Sequence, residues 1–333
     1  MNIVSISWVR NEADVIEAFV RHHCRFLDRM IIIDNRSKDN TGHILRQLQK
    51  EGLPLDLRYD DSFTHLQGEA LTAVLSELRS DAPDFVIPLD ADEFLTVNEP
   101  KNIRAALEDL PRDIASLIRW HTYIPMPDDD LSEPHVPRRI RHRRACELPQ
   151  WHKVIIPGSL LQKNVKLRVG SHALVDAKSD QNSEHRNADS LFLAHFPVRS
   201  AEQIAGKVFG GWLSHVSNPT KTPGTIFQWK AIFDELKSGK EISADTLMRM
   251  ALDYGTEKQW KALPVEEKET RDLKDFLTEE PGASATVDSV IFDPIPTTVE
   301  LKYEAKRLAP LRILAESAEI LAQEVAYLTL PQA

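Results

Sequence analysis

Four short strand-like runs open the chain, and helical stretches separate them. Ile3–Val9, Met30–Asp34, Leu55–Asp60 and Phe85–Leu89 are runs of the length of a strand. The second is fully apolar up to its closing acid, as in a parallel strand buried on both faces. Between them, Glu12–Leu27 places Val15, Phe19, Val20 and Phe26 on one helical face. Asp39-Asn40-Thr41-Gly42 supplies helix-starting residues for Ile44–Leu53, and Gln67–Arg79 has the pattern of a third helix. Alternating strands and helices predict a doubly wound, mostly parallel α/β sheet flanked by helices. In such sheets ligands bind at the carboxyl ends of the strands. Those ends carry Arg10-Asn11-Glu12, Asp34-Asn35, Asp60-Asp61 and Asp90-Ala91-Asp92.

Beyond Asp92 the pattern loosens. Ile103–Leu110 is expected as a short helix, Ala115–Ile124 as a strand, and Pro125–Gln150 as a loop or flap rich in proline, acid and arginine. Trp151–Pro157 and Val165–Val169 are expected as strands. From Ser200 onwards the chain is expected to be helical, at Glu202–Trp212, Phe227–Ser238, Ala244–Tyr254 and Val299–Leu328, with a loop over Pro281–Pro296 and a break at Pro310. The near-heptad stripe from Leu301 to Val325 suits either packing on the chain's own domain or a homo-oligomer.

Composition narrows the classes. The chain has 333 residues, two cysteines (Cys24 and Cys146) and a formal net charge of −10. That charge argues against nucleic acid as a general partner. Two cysteines give no disulfide framework, and no apolar window is long enough for a membrane helix, so a cytoplasmic protein is expected. The local basic run Arg138–Arg144 suits an anionic acceptor or peripheral contact with the inner face of a membrane, and equally a solvated loop paired with Asp128-Asp129-Asp130.

Two carboxylates one residue apart at a strand end, as in Asp90-Ala91-Asp92, can turn toward one hard cation, which in turn can bridge the phosphates of a nucleotide diphosphate. An acidic loop is the plainer account of such a pair. Asp34 at the next strand end can accept from a base N–H, and Ser37 or Asp39 behind it can cap a helix.

Taken together, these segments resemble a family. Trp8-Val9-Arg10-Asn11-Glu12 resembles the "NE" motif of family 2-type glycosyltransferases. Asp34-Asn35-Arg36-Ser37-Lys38-Asp39-Asn40-Thr41 resembles their "DNGSTDGT" turn, with Arg36 where the family has glycine. Phe85–Phe94 resembles the "lDvDEF" segment of the branch typical of bacterial polysaccharide enzymes. Trp151-His152-Lys153, Gly170-Ser171-His172 and Ala194–Ser200 are similar to later segments of that branch. The resemblance spans about residues 1–212. It implies a GT-A (Rossmann-like) catalytic domain over 1–212, with a nucleotide-sugar-binding half at 1–100, an acceptor-side half at 101–212 and a helical region at 213–333.

The resemblance further implies transfer from a nucleotide-diphosphate sugar, a UDP-sugar as the expected donor, to a saccharide, lipopolysaccharide or lipid-linked acceptor, with inversion and with Mn²⁺ or Mg²⁺. Glu12, Asp34 and Asp60 would border the nucleoside, Asp90 the ribose and metal, and Asp92 would ligate the metal. His195 is the third candidate ligand and would favour manganese, with His172 competing for that role. Arg10, Lys153, Arg199 and Lys207 are candidates for the donor's charges. Trp120, His121 and Trp151 are candidates for acceptor stacking, with buried packing as their plainer account. The general base is open among Glu147, His152, His172, His121 and Glu93. A sugar-phosphate nucleotidyltransferase and a non-catalytic carbohydrate- or partner-binding module are the alternatives. The first normally has a glycine-rich loop after β-strand one, which Ser7–Glu12 lacks.

Overall fold

The computed structural model describes residues 1–62, 67–97, 102–144, 147, 150–217, 232–233, 236, 242–256 and 290–292. The expectations for Val299–Leu328, Pro310, the near-heptad stripe, Cys146 and most of Phe227–Ser238 and Pro281–Pro296 lie outside these residues.

Strands β1 (Ile3–Val9), β2 (Arg29–Asn35), β3 (Leu55–Asp60) and β4 (Phe85–Pro88) alternate with helices α1 (Ile16–His23), α2 (Thr41–Lys50) and α3 (Gln67–Glu77). The four strands are parallel, in the order β4-β1-β2-β3. Both faces of β1, β2 and β4 are covered, which explains their apolar runs, while the edge strand β3 is only partly buried. Ile3, Val9, Met30, Ile32, Phe85 and Ile87 face one core with α1 and α2. Val4, Ile6, Trp8, Ile31, Ile33 and Val86 face the other with α3. Helix α1 is shorter than its apolar spacing suggests. Glu12 turns the chain first, its carbonyl accepting from Val15 and Ile16 N–H.

The second half extends the sheet with antiparallel strands. After β5 (Glu93–Val97) and α4 (Ile103–Glu108) come β6 (Ala115–Ile124), α5 (Val136–Arg139), β7 (His142–Arg144), β8 (His152–Pro157), β9 (Val165–Leu167), β10 (Leu174–Asp176), β11 (His185–His195), α6 (Ala201–Ser217), α7 (Ala244–Asp253) and β12 (Val290–Phe292). Strand β8 pairs antiparallel with β4 and with β6, continuing the sheet outward to β7 and β12. Strand β11 lies parallel to β6 and antiparallel to β5. The expected loop over Pro125–Gln150 thus contains a helix and a strand, and β5 and β11 were not anticipated. Helix α6 continues through position 212. A third apolar cluster, with Ile124, Val198, Ile204, Val208, Met250, Ala251 and Leu252, seats α6 and α7 against the end of β6. No helix among the described residues is long and apolar enough to cross a membrane.

Candidate active site

The two loops that follow β1 and β2 are halves of one structure. Ser37 Oγ accepts from Asn11 N–H, Asn11 Oδ1 from Lys38 N–H, Thr41 Oγ1 from Glu12 N–H, and Asp39 Oδ2 from Ala13 N–H. Asn11 and Arg36 both take the left-handed backbone region, at φ 56° and 53°. Asparagine tolerates that region well and arginine poorly, so the turn takes a glycine-like backbone shape without glycine. Asp34 Oδ1 accepts from Ser37 N–H, and a Cβ on Gly42 would stand 2.9 Å from Asp34 Oδ2. Asp60 accepts from Trp8 Nε1 (2.9 Å), Asn35 Nδ2 (3.0 Å) and Ser62 N–H (2.9 Å). Arg10 reaches Asn35 Oδ1 only at 3.5 Å. These groups therefore hold the strand ends together, and Asp60's carboxylate is engaged inside the loop structure.

Strand pairing assembles the acidic centre. In the β5–β11 register His195 stands opposite Glu93, and Phe196 N–H donates to the Asp92 carbonyl. This brings His195 Nε2 to 3.8 Å from Asp92 Oδ1. Lys207, on α6, donates to Asp92 Oδ2 at 2.7 Å, and Arg199 lies 3.7 Å from the same oxygen. Asp90 accepts from Lys153 Nζ at 2.6 Å and from Gln67 Nε2 at 2.8 Å. Glu93 Oε2 takes Asp90 N–H and lies 3.3 Å from Lys153. On its other edge β5 is clipped by α1: His22 Nε2 donates to the Leu95 carbonyl, and His23 Nε2 accepts from Leu95 N–H.

Burial sets the protonation states. It pushes Glu12 up to about 7 against the pull of Arg199, and Glu93 up to about 8 against Lys153. Asp92 is also buried, but Lys207 foremost outweighs this and holds its carboxyl well below the usual range. Burial drives the His195 imidazole down to about 3, so it is neutral and carries a lone pair.

A neutral imidazole and a carboxylate facing one another beyond hydrogen-bond distance, with His195 Nδ1 buried and unpartnered, are a donor pair that fits a divalent cation. Among the described residues no three His, Cys, Asp or Glu side chains converge on one point.

Aromatic rings line another side of the centre. Trp120 lies 4.3 Å from His195 and 5.3 Å from His172 by ring centroids, and Trp151 lies 5.0 Å from His172. Trp120 Nε1 is buried without a partner. His172 Nδ1 donates to the His152 carbonyl at 2.7 Å. The His152 ring itself is half-buried at the start of β8.

Three expected roles are corrected by this geometry. Glu147 is no free base: its Oε1 accepts from Thr122 N–H and its Oε2 pairs with Arg144, both within 2.8 Å. His121 follows Trp120 on β6, so it faces the opposite side of the sheet, where it stacks on Phe192 at 4.4 Å. Arg199 is 1% exposed and spends its guanidinium on Glu12, both oxygens of Asp14 and the Phe196 carbonyl. It anchors the centre from behind and does not clamp a diphosphate. The basic run is likewise divided. Arg139 and Arg144 are buried, Arg139 donating to the Glu133 and Arg199 carbonyls and Arg144 to those of Ala251 and Tyr254. Asp14, Gln67 and the His22–His23 clip were not foreseen. The Glu17 and Arg21 pairing within α1 is a comparable structural signal that spacing alone does show.

Residues 6–168, just under half of the chain, match the family model described as glycosyl transferase family 2. No curated protein matches. Among solved structures the chain is similar to TarS 1–349 from S. aureus in complex with UDP, at 14% identity over 73% of each chain with a TM-score of 0.37. It is also similar to the mannosyltransferase PcManGT from Pyrobaculum calidifontis in complex with GDP-Man and Mn²⁺, at 15% identity over 77% of this chain and 76% of that one, TM-score 0.33. The family match, lying on a mixed, mostly parallel sheet flanked by helices, makes this chain a glycosyltransferase of the GT-A fold.

Proposed function

We propose that the protein moves a sugar from a nucleotide-diphosphate sugar, a UDP-sugar first among the candidates, to a saccharide or lipid-linked hydroxyl, with inversion at the anomeric carbon. The observation that carries this reading is the meeting of Asp92, His195 and Lys207 at the carboxyl end of the sheet. Asp92 and His195 would hold Mn²⁺ (or Mg²⁺), which when bound neutralises the diphosphate leaving group. Lys207 is 20% exposed, and its ammonium reaches both Asp92 and the open side of the centre, so it suits a phosphate oxygen. Lys153 orders Asp90 for the ribose. Asp34 and Glu12 border the nucleoside.

Trp120 and Trp151 offer faces to the acceptor sugar, and Trp120 Nε1 offers a donor. His172 Nε2 takes the proton as the acceptor oxygen bonds to the anomeric carbon. The bond from that carbon to the diphosphate oxygen breaks, and the electron pair leaves with the nucleotide.

UDP with MnCl2 is expected to raise the melting temperature of the wild-type protein by several degrees, and Asp92→Asn, checked for folding by circular dichroism, to abolish the shift. A screen of nucleotide sugars for Mn²⁺-dependent hydrolysis then identifies the donor. No shift and no hydrolysis with any nucleotide diphosphate or its sugar would sink the proposal.

A further inference from the structure

The turn that ends α7 is held in place by the catalytic half of the chain. Arg144, on β7, donates to the carbonyls of Ala251 (2.6 Å) and Tyr254 (2.8 Å). The indole of Trp151 donates to the Gly255 carbonyl at 3.0 Å. Gly255 takes φ +76°, and a Cβ there would come to 3.4 Å from Trp151 Nε1, so glycine suits both the turn and the close approach. Arg144 is itself fixed by Glu147, and Met250, Ala251 and Leu252 are buried in the cluster shared with Val198, Ile204 and Val208.

This turn places Tyr254 over the acidic centre. Its ring centroid lies 5.8 Å from that of His195 and 5.5 Å from Lys207 Nζ. Lys207 is also the group that pairs with Asp92. One side of Tyr254 packs against that apolar cluster. Its ring is nevertheless only half-buried, and its other side meets His195 and the Lys207 ammonium.

We infer that Tyr254, delivered from beyond the segment that matches the family, is a substrate-binding residue that closes the diphosphate subsite: with Lys207 it donates to the phosphate distal to the nucleoside, and its ring shields that contact from water. Arg144 and Trp151 are then positioning residues, acting through the carbonyls of the turn. The inference rests on the nucleotide-diphosphate reading above.

The test compares a nucleoside diphosphate with its monophosphate, because only the former reaches this subsite. Affinities for UDP and UMP, and in parallel GDP and GMP, are measured in MnCl2 by calorimetry on the full chain for wild type, Tyr254→Phe, Arg144→Met and Asp92→Asn. Tyr254→Phe keeps the ring and its packing. It is expected to weaken the diphosphate about tenfold, the effect of one hydrogen bond to a charged group, and to leave the monophosphate unchanged. Arg144→Met is expected to do the same to a smaller degree.

Equal losses for both nucleotides, or none, would overturn the inference. If Asp92→Asn erases the preference for diphosphate while Tyr254→Phe keeps it, the nucleotide-diphosphate reading stands and the role of Tyr254 falls. If wild type binds no diphosphate more tightly than the monophosphate, both fall.

Discussion

A backbone carbonyl decides which nitrogen of His172 carries the proton. The His152 carbonyl can only accept, so Nδ1 is the donor and Nε2 keeps the lone pair. Burial lowers the pKa of the ring, with Lys153 as a secondary cause, which keeps it neutral near pH 7. A base must be neutral to act, so transfer should fall as pH drops below the ordinary histidine value and stay level above it. His172→Asn is expected to cut transfer by roughly 10²- to 10⁴-fold and leave nucleotide affinity intact. A kcat/KM profile with no acid limb in the wild type would remove His172 from this role.

At this scale the sequence reads best where chemistry and position coincide. Asp92, His195 and Lys207 all sit in or just after recognisable segments, and they converge. It reads poorly where an ionisable residue has a local partner: nothing about Glu147 announces that Arg144 and Thr122 N–H have taken both its oxygens. Tyr254 lies in an ordinary helical stretch, with no signal of its destination.

Helix α1 does more than cover the sheet. His22 and His23 take the two backbone groups of Leu95 that face away from β11, and their rings pack with Phe19, Phe26 and Phe94. Burial pulls His22 down to about 4 and His23 well below its usual value. Both are neutral in the folded chain and would protonate on unfolding at mild acidity. The unfolded state thus binds more protons between the ordinary value, near 6.5, and the folded one, so stability falls as pH is lowered through that window. For His22 the full loss is on the order of 3 kcal/mol. His22→Gln keeps a donor for the Leu95 carbonyl and cannot titrate, so its melting temperature should fall less than wild type between pH 7 and pH 5. Parallel curves would refute this account.

Strands β1, β2 and β4 were legible because burial on both faces leaves largely apolar runs, whereas β3 alternates Leu55, Leu57 and Tyr59 with charged residues and is only partly buried. Strand β5 was masked because its first residues belong to the acidic motif. Strand β11 was masked because its first half, His185–Asn187, is polar and exposed, and only Leu191–His195 carries a buried pattern.

Seen whole, the molecule surrounds a nearly charge-balanced centre with an acidic chain. Asp14, Asp90 and Asp92 meet Lys153, Arg199 and Lys207, while Glu12 and Glu93 are drawn toward their neutral forms. The composition gave the overall sign of charge but not this local balance, because pairing across the fold is invisible in a residue count.

The expected division at position 212 followed the end of recognisable segments. Physically, α6 runs across it, and Arg144 and Trp151 hold the end of α7 from the other side.

The pairing of β5 with β11 also has a temporal consequence. It joins segments far apart in the chain, and closing so long a loop is a late event in folding. Until β11 docks, His195 and Asp92 are strangers, and a slip of one residue would turn His195 to the wrong face. Within the parallel core, the pairs β1–β2 and β2–β3 join consecutive strands and have no such delay. On dilution from denaturant, circular dichroism should therefore recover before Mn²⁺-dependent nucleotide binding does; simultaneous recovery would argue against this order. In a growing polypeptide, too, the ability to hold substrate would switch on only after β11 and, behind it, the segments carrying Lys207 and Tyr254 have been made.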